Sequence, residues 1–436
     1  KGNMHIFKEN NKKPISGNIK ISADDFIVEE ITNNNTVLEI NKKIEQIPFN
    51  LNQSKEASKD KVKNQNKFTL FILQKKNWNT IQALTAIAKK FRKGYKSTSF
   101  AGTKDRISLS TQLCTIFDLD PNILLNLNIK DIKINNAWLI DQKLSLGDLL
   151  GNRFKVTIRN AEINIDSIDK AIDEFGGVFP NFFGAQRFGN RNNNYLIGIE
   201  ILKGNFENAV LRFLTDTQNE LNEDAKNARI RLNNELDFKK ALDYFPKYLK
   251  YERLVLNYLS KYPTDYANSL RRLPRSLSLI FIHSVESFIF NKELDEIIKK
   301  NLNAFEETNF ACFKDKHGFP DSMKLIKTEN NKEYFKDKNY YPMANIIGYD
   351  SKLNNIEKKL LDEFEIELDM FKLKRMPELN AKGFYRVLFS PFFDFNFKIN
   401  IDQDDHNNNN IELDFSLPKS AYATVFLNQI VTKKLE

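Results

Sequence analysis

The sequence is poor in the residues that redox and metal chemistry depend on. Only two cysteines occur, Cys114 and Cys312, far apart and without ligand spacing. They cannot form a disulfide framework, and a reducing compartment is the expectation. The four histidines, His5, His283, His317 and His406, are scattered, and none has a second His or Cys at metal-ligand spacing. His283, on an apolar helical stretch, reads as a hydrogen-bonded core residue rather than a ligand. There is no GxGxxG, no P-loop and no HExxH, so the marks of Rossmann-type cofactor enzymes, P-loop NTPases and zincins are missing. Neither a metal nor a cofactor is expected. No run of 18 apolar residues exists, and residues 1–30 lack a signal-peptide pattern, which makes a cytoplasmic protein the expectation. Lys1-Gly2-Asn3 ahead of Met4 reads as an appended leader and is set aside.

What is present is a chain of 436 residues, too long for one hydrophobic core, which suggests two domains. Its 41% hydrophobic and 28% charged residues are an ordinary globular balance. Phe is frequent, at 36 against 14 Tyr and 2 Trp; most of these rings belong to cores, and a few are candidate stacking platforms. A formal charge of +9 favours a polyanionic partner, because surface Lys and Arg attract phosphate.

Residues 19–40 read as extended structure, and 52–67 (NQSKEASKDKVKNQNK) as a solvated loop with almost no apolar side chain. A buried strand follows at 68–73 (FTLFIL). Asn77 or Asn79 then caps a helix that places Ile81, Leu84, Ala88 and Phe91 on one face, with Gly94 as its stop. Strands are expected at 112–117 and 154–159, the latter with Phe154, Val156 and Ile158 alternating against Lys155, Thr157 and Arg159. From about 195 to 375 the texture becomes helix-rich, notably at 237–260 and 276–300, punctuated by Pro263 and Pro274. After 380 alternation returns, with Tyr385, Val387 and Phe389 on one face and Phe395, Phe397 and Ile399 on another. The polar run 402–410 leads to a last strand at 411–415. Strand-rich flanks around a helix-rich middle imply an α+β domain interrupted by an insert.

The stretch that carries chemistry is 89–106, KKFRKGYKSTSFAGTKDR. Seven basic residues (Lys89, Lys90, Arg92, Lys93, Lys96, Lys104, Arg106) surround one acid, Asp105. Gly102 and Thr103 supply a turn, which would put Lys104-Asp105-Arg106 on an exposed loop. Residue type alone allows Asp105 to be a turn cap or a surface ion-pair partner. It equally allows a carboxylate kept ionised among phosphate-binding cations, able to serve as nucleophile or base on a bound nucleotide.

The segment Phe100-Ala-Gly-Thr-Lys-Asp105-Arg resembles the signature of the tRNA pseudouridine synthase D (TruD) family. Further matches occur in the same order. Lys20 with Asp24-Asp25-Phe26-Ile-Val-Glu29 resembles the family's N-terminal motif. Gly151-Asn152-Arg153-Phe154 resembles its Gly-Asn-x-Phe, and Asn181-Phe-Phe-Gly-Ala-Gln-Arg187-Phe-Gly its Asn-Tyr-Phe-Gly-x-Gln-Arg-Phe-Gly. Leu417-Pro-Lys-Ser-Ala-Tyr422-Ala-Thr resembles the C-terminal motif. There are departures: Glu286-Ser287 stands for the family's Gln-Ser, and Leu427-Asn428-Gln429 for its Leu-Arg-Glu.

The resemblance implies a pseudouridine-synthase-type mixed-sheet catalytic domain, residues 4–195 and 376–436, interrupted by a helix-rich TRUD domain at 196–375. It implies isomerisation of uridine in tRNA, at position 13 of the D-arm, without cofactor or metal. Asp105 would be the catalytic carboxylate and Tyr422 an aromatic packed on the target base. Lys20, Phe26, Asn152 and Phe154 would shape the pocket, while Lys104, Arg106 and Arg187 would hold RNA. A monomer with tRNA as its partner is expected. The alternative is a basic RNA-binding or RNA-chaperone protein that keeps the fold without the chemistry.

Overall fold

Alternation and unbroken apolar runs build different strands here, and the difference follows from what covers each face. The computed structural model describes residues 13–51, 67–328, 339–400 and 409–433. The segment 52–66, residues 401–408 of the polar run and the leader lie outside these. The chain packs as two compact units, one comprising residues through Phe179, 316–319 and Ser390 onward, the other Pro180–Asp315 and Pro320–Phe389.

The first unit opens with β1 (Ile15–Ile19), β2 (Phe26–Thr32), β3 (Phe68–Lys76), α1 (Thr80–Lys90), β4 (Thr98–Phe100) and β5 (Leu109–Phe117). It continues through α2 (Pro121–Leu125), β6 (Ile132–Ile140), β7 (Leu149–Ile163), α3 (Ile165–Glu174) and β8 (Val178–Pro180). β3 is buried along almost its whole length because both faces are covered. Phe71 and Leu73 meet Ala83, Leu84 and Ile87 of α1. Leu70 and Ile72 meet Leu38 and Phe49 on the other side. β7 is longer than its alternating core at 154–159 suggested, and its inward residues are Phe154, Val156 and Ile158.

Asn79 caps α1 by accepting the Gln82 N–H at 2.8 Å. Gly94 is not the stop. Arg92 turns left-handed at φ 55°, and the Lys93 N–H bonds back to the Ala88 carbonyl at 2.8 Å. That closes the helix before Gly94 is reached, since two satisfied carbonyls serve as well as a glycine.

The second unit contains α4 (Asn194–Leu202), α5 (Phe206–Thr215), α6 (Glu223–Glu235), α7 (Phe238–Tyr244), α8 (Lys250–Leu259) and α9 (Tyr266–Leu270). Then follow α10 (Arg275–Lys299), α11 (Ala304–Glu307), β9 (Phe310–Lys314), β10 (Pro320–Lys327), β11 (Tyr340–Ile346), α12 (Asn355–Glu363) and β12 (Phe384–Val387). The long stretch 237–260 is two helices, broken around Pro246, which cannot continue a helix. α10 is one helix of 25 residues entered at Pro274. Gly198 lets α4 approach it closely, since a Cβ there would lie 2.2 Å from the Phe281 carbonyl oxygen.

This unit also holds a four-stranded antiparallel sheet, β10-β9-β11-β12, which the helix-rich texture did not signal. Its limits fall at 179/180 and 389/390, against the expected 195/196 and 375/376. The reason is pairing and packing rather than composition. β12 joins β11 with Met343 opposite Val387, and the Phe183 backbone exchanges two hydrogen bonds with the Asn291 amide of α10.

The chain closes with β13 (Phe389–Pro391), β14 (Phe393–Asn400), β15 (Asn410–Pro418), α13 (Ala423–Ile430) and β16 (Val431–Lys433). The main sheet of the first unit runs β14-β15-β7-β2-β5-β3-β6, with β1 on β7, β16 on β1 and β4 on β5. It is mixed, because β2 with β5 and β1 with β16 pair in parallel. The α+β class is as expected.

Candidate active site

The loop between β4 and β5, residues 101–108, is held at several points along its backbone. The Gly147 N–H donates to the Ala101 carbonyl at 2.8 Å, and the Gln112 amide donates to the Gly102 carbonyl at 2.9 Å. The Lys104 N–H donates to Thr80 Oγ1 at 2.8 Å, and the Ser108 hydroxyl to the Asp105 carbonyl at 2.9 Å. With its backbone fixed in this way, Asp105 holds its carboxylate outward, 61% exposed, with Lys20 Nζ 3.5 Å from Oδ2.

Lys20 reaches that carboxylate from an unusual backbone state. Its φ of 62° is left-handed, which is uncommon for a lysine, and it turns the chain sharply after β1. The ammonium lies 3.9 Å above the centre of the Phe26 ring, a cation–π contact. The turn is locked by Asp25, which accepts from the Ser22 N–H at 2.9 Å and pairs with Arg159 at 2.7 Å. Burial pushes the Asp25 carboxyl up, but the Arg159 and Ser22 hydrogen bonds outweigh it and hold it below its ordinary range. Next to it, Asp24 binds Lys76 at 2.6 Å.

Lys104 is not where an RNA contact would be. Its side chain is 3% exposed and its ammonium sits 2.6 Å from Glu30 Oε2, itself fully buried. Glu30 also accepts the Leu113 N–H at 2.9 Å. Glu30 is in phase with Phe26 and Val28, on the face turned to the loop, so Lys104 must point inward to neutralise it. Below the same loop lies Lys75, wholly buried, donating to the carbonyls of Trp78 at 2.7 Å and Asp105 at 3.2 Å. Burial, then the charge of Lys104, push its ammonium down to about 8. Sequence reading missed both Lys75 and Glu30. The available signal was their phase: each is a charged residue at an inward position of an apolar strand, Lys75 with Phe71 and Leu73.

The remaining expected residues are distributed as follows. Phe26 and Phe154 are buried, with ring centres 6.0 Å apart, and Phe154 stacks on Phe415 at 5.5 Å. They form the floor beneath Lys20 rather than an open wall. Asn152 is half-buried opposite Glu30 in the β2–β7 register, and its Oδ1 has no hydrogen-bond partner among the described residues. Gly151 before it is required by close approach, since a Cβ would lie 2.1 Å from the Leu417 carbonyl oxygen. Tyr422 is half-buried at the N-cap of α13, four residues beyond Pro418, which pairs with Gly151. Arg106 is exposed beside Asp105. Arg187 belongs to the second unit, half-buried, with its guanidinium 5.2 Å above the Phe183 ring. The structure therefore gathers Lys20, Phe26, Lys104, Asp105 and Arg106 around one loop of the first unit.

No acidic residue occurs between Asn77 and Lys104, and Lys89, Lys90, Arg92 and Lys96 are exposed along that stretch. Lys93 lies 3.6 Å from Asp118. Among the described residues no group of three or more His, Cys, Asp or Glu is placed to hold a metal ion. His283, 42% exposed at its side chain, bonds through Nδ1 to Glu286 at 2.8 Å. That pair occupies the position where Glu286 departs from the family's glutamine. No helix among the described residues is long and apolar enough to cross a membrane.

An exposed carboxylate thus stands on a pinned loop, backed by cations, on the mixed sheet of an α+β protein. The chain matches the family model described as tRNA pseudouridine synthase D (TruD) over residues 3–430. It is 31% identical over 435 residues to a protein of Methanosarcina barkeri carrying that name, covering 95% of this chain and 93% of the relative. A Methanococcoides burtonii protein of the same name is 32% identical over 384 residues, covering 83% and 87% respectively. A crystal structure described as TruD from Methanosarcina mazei aligns with TM-score 0.74 and 29% identity, over 98% of this chain and 96% of that one. The chain belongs to the tRNA pseudouridine synthase D (TruD) family, a family of isomerases.

Proposed function

We propose that the protein isomerises uridine to pseudouridine in tRNA, at position 13 of the D-arm, with Asp105 as the essential carboxylate. The observation that carries this reading is the Asp105 site itself. The carboxylate is exposed, faces Lys20 at 3.5 Å, and stands on a loop whose backbone is bonded at several points. The reaction breaks the bond between N1 of the base and C1′ of the ribose, turns the base and joins C5 to C1′. The C5 proton is lost and N1 regains one, so atoms balance without a co-reactant. Asp105 acts on the ribose, as nucleophile or by taking a proton, with the Lys20 ammonium beside it. Tyr422 offers an aromatic face to uracil, and Asn152 and Phe154 shape the pocket. Arg106 and the exposed cations after α1 hold phosphates. The first unit is the catalytic domain; the second is the inserted domain, whose Arg187 binds RNA.

Asp105→Asn is the decisive test. Asn keeps the shape, and an exposed loop position should change stability by no more than about 0.5 kcal/mol. Single-turnover pseudouridine yield on a tRNA transcript should vanish, while filter retention shows binding unchanged or slightly tighter because a negative charge is gone. Yield equal to wild type would leave the RNA-chaperone reading standing instead.

A further inference from the structure

Lys75 sits near the end of β3, in phase with Phe71 and Leu73, and is wholly buried. An apolar side chain suits that position better, because a buried ammonium is costly unless a carboxylate neutralises it. Glu30, the buried carboxylate nearby, is taken by Lys104. Among the described residues Lys75 has no ion-pair partner, and its two acceptors are backbone carbonyls, those of Trp78 at 2.7 Å and Asp105 at 3.2 Å. Fold stability alone gives little reason to retain such a group, since buried ionic groups can often be replaced by apolar ones without loss.

We propose that Lys75 is a positioning residue for the Asp105 carboxylate: its ammonium ties the Asp105 carbonyl to the turn at Trp78 and fixes where the carboxylate stands. The inference rests on Asp105 being the reacting group. An exposed carboxylate whose one ion-pair partner among the described residues is Lys20, at 3.5 Å, has little lateral restraint. Its placement must come from its own backbone, and displacements of about 1 Å at a reacting group cost large factors in rate. Two donors meet on that carbonyl, the Ser108 hydroxyl from within the loop and the Lys75 ammonium from the sheet below. Of these two, only the second ties the Asp105 carbonyl itself to a strand of the sheet.

The ammonium is also sensitive to pH, being pushed down to about 8 by burial and by Lys104, with Cys114 and Asp105 opposing. Those three, with Glu30 behind Lys104, are the charged and titratable groups around it. Above about 8 the bond to the Asp105 carbonyl loses its charge assistance.

Lys75→Met should lower the single-turnover rate about ten- to a hundredfold, the weight of one charge-assisted hydrogen bond. tRNA affinity should be unchanged, because a fully buried group cannot touch phosphate. The wild-type rate should decline as pH rises through about 8, and the variant should lack that inflection. Combined with Ser108→Ala the losses should be non-additive, since both donors serve one carbonyl. Amide hydrogen exchange across 103–108 should accelerate in Lys75→Met, and this readout does not depend on any activity. Wild-type enzyme that makes no pseudouridine would sink the functional reading while exchange still judges Lys75. A folded variant with wild-type rate and exchange, or with rate and affinity falling by one factor, overturns the proposal. Lys75→Gln, which keeps one donor, should give an intermediate rate; if neither variant folds, Lys75 is structural and the proposal is wrong.

Discussion

Both units bury charge, and one cluster in each balances it in opposite ways. Beneath the Asp105 loop of the first, two ammonium groups are buried, Lys104 paired with Glu30 and Lys75 with no ion-pair partner among the described residues. In the second, two carboxylates, Glu293 of α10 and Glu357 of α12, are buried together with no cation paired to either among the described residues. Asparagines serve them instead. Asn354 Nδ2 donates to Glu293 at 2.7 Å, and Glu357 accepts the backbone N–H groups of Asn354 at 2.8 Å and Asn345 at 3.0 Å. Burial and the neighbouring Glu357 push Glu293 well above the ordinary carboxyl range, and burial raises Glu357 too. A proton can neutralise one acid of the pair, and the cluster joins α10, β11 and α12. The Lys75 ammonium of the first unit instead rests on two backbone carbonyls, those of Trp78 and Asp105. The unbalanced buried charge lies beside the exposed acid of the proposed site; the carboxylate pair ties three elements together.

The largest effect on stability should come from breaking the balanced ion pair of the first unit. Lys104→Ala leaves Glu30 buried and unpaired, which should cost about 3–5 kcal/mol in chemical denaturation. Binding of tRNA by the folded fraction should persist; unchanged stability with lost binding would return Lys104 to the RNA surface. Next comes Tyr422, whose Ala variant should lose roughly ten- to a hundredfold in activity, as base stacking is worth about 1–3 kcal/mol, while Phe is mild. A large fall in Tm with turnover per folded molecule intact would make Tyr422 a core residue.

The two clusters should also respond to pH in opposite senses. Glu293 is raised from 4.5, so the unfolded chain ionises first. Stability it contributes is full below about 4.5 and is lost as pH rises through the folded value. The wild type should therefore fall behind Glu293→Gln across that window. Lys75 is lowered from 10.5 to about 8, so between those values the unfolded chain holds the extra proton and stability rises with pH. Relative to Lys75→Met the wild type should gain up to about 3 kcal/mol there. Parallel curves for wild type and Glu293→Gln would mean that the acid pair is not protonated in the fold.

The smallest effect is electrostatic and at the surface. Reversing the charges of Lys89, Lys90 and Lys93 should weaken tRNA binding and reduce its log–log salt slope by about 0.7–0.9 per lost phosphate contact. An unchanged slope would take the end of α1 off the RNA surface.

The site was legible in sequence where local chemistry decides it. Of the face expected on α1, Leu84 and Ala88 are buried but Ile81 is 50% exposed, and Ala83 and Ile87 complete the buried side. The capping Asn79, the exposed turn at Gly102-Thr103 and the lone acid among cations all follow from residues within a few positions of each other. So did the class of the fold, because alternation and helical spacing are local signals. Residue direction was another matter. Lys104 and Arg106 flank Asp105 symmetrically in sequence, yet one faces the core and the other solvent, because Glu30, 74 residues earlier, lies under the first. The unit limits were likewise set by β12 pairing with β11 and by Asn291 holding Phe183, contacts that leave no mark on composition. Chain order determined which groups this protein owns. Which of them are buried, and which buried charge is left over to hold Asp105, depended on strands brought together from distant parts of the chain, where desolvation makes each unpaired group decisive.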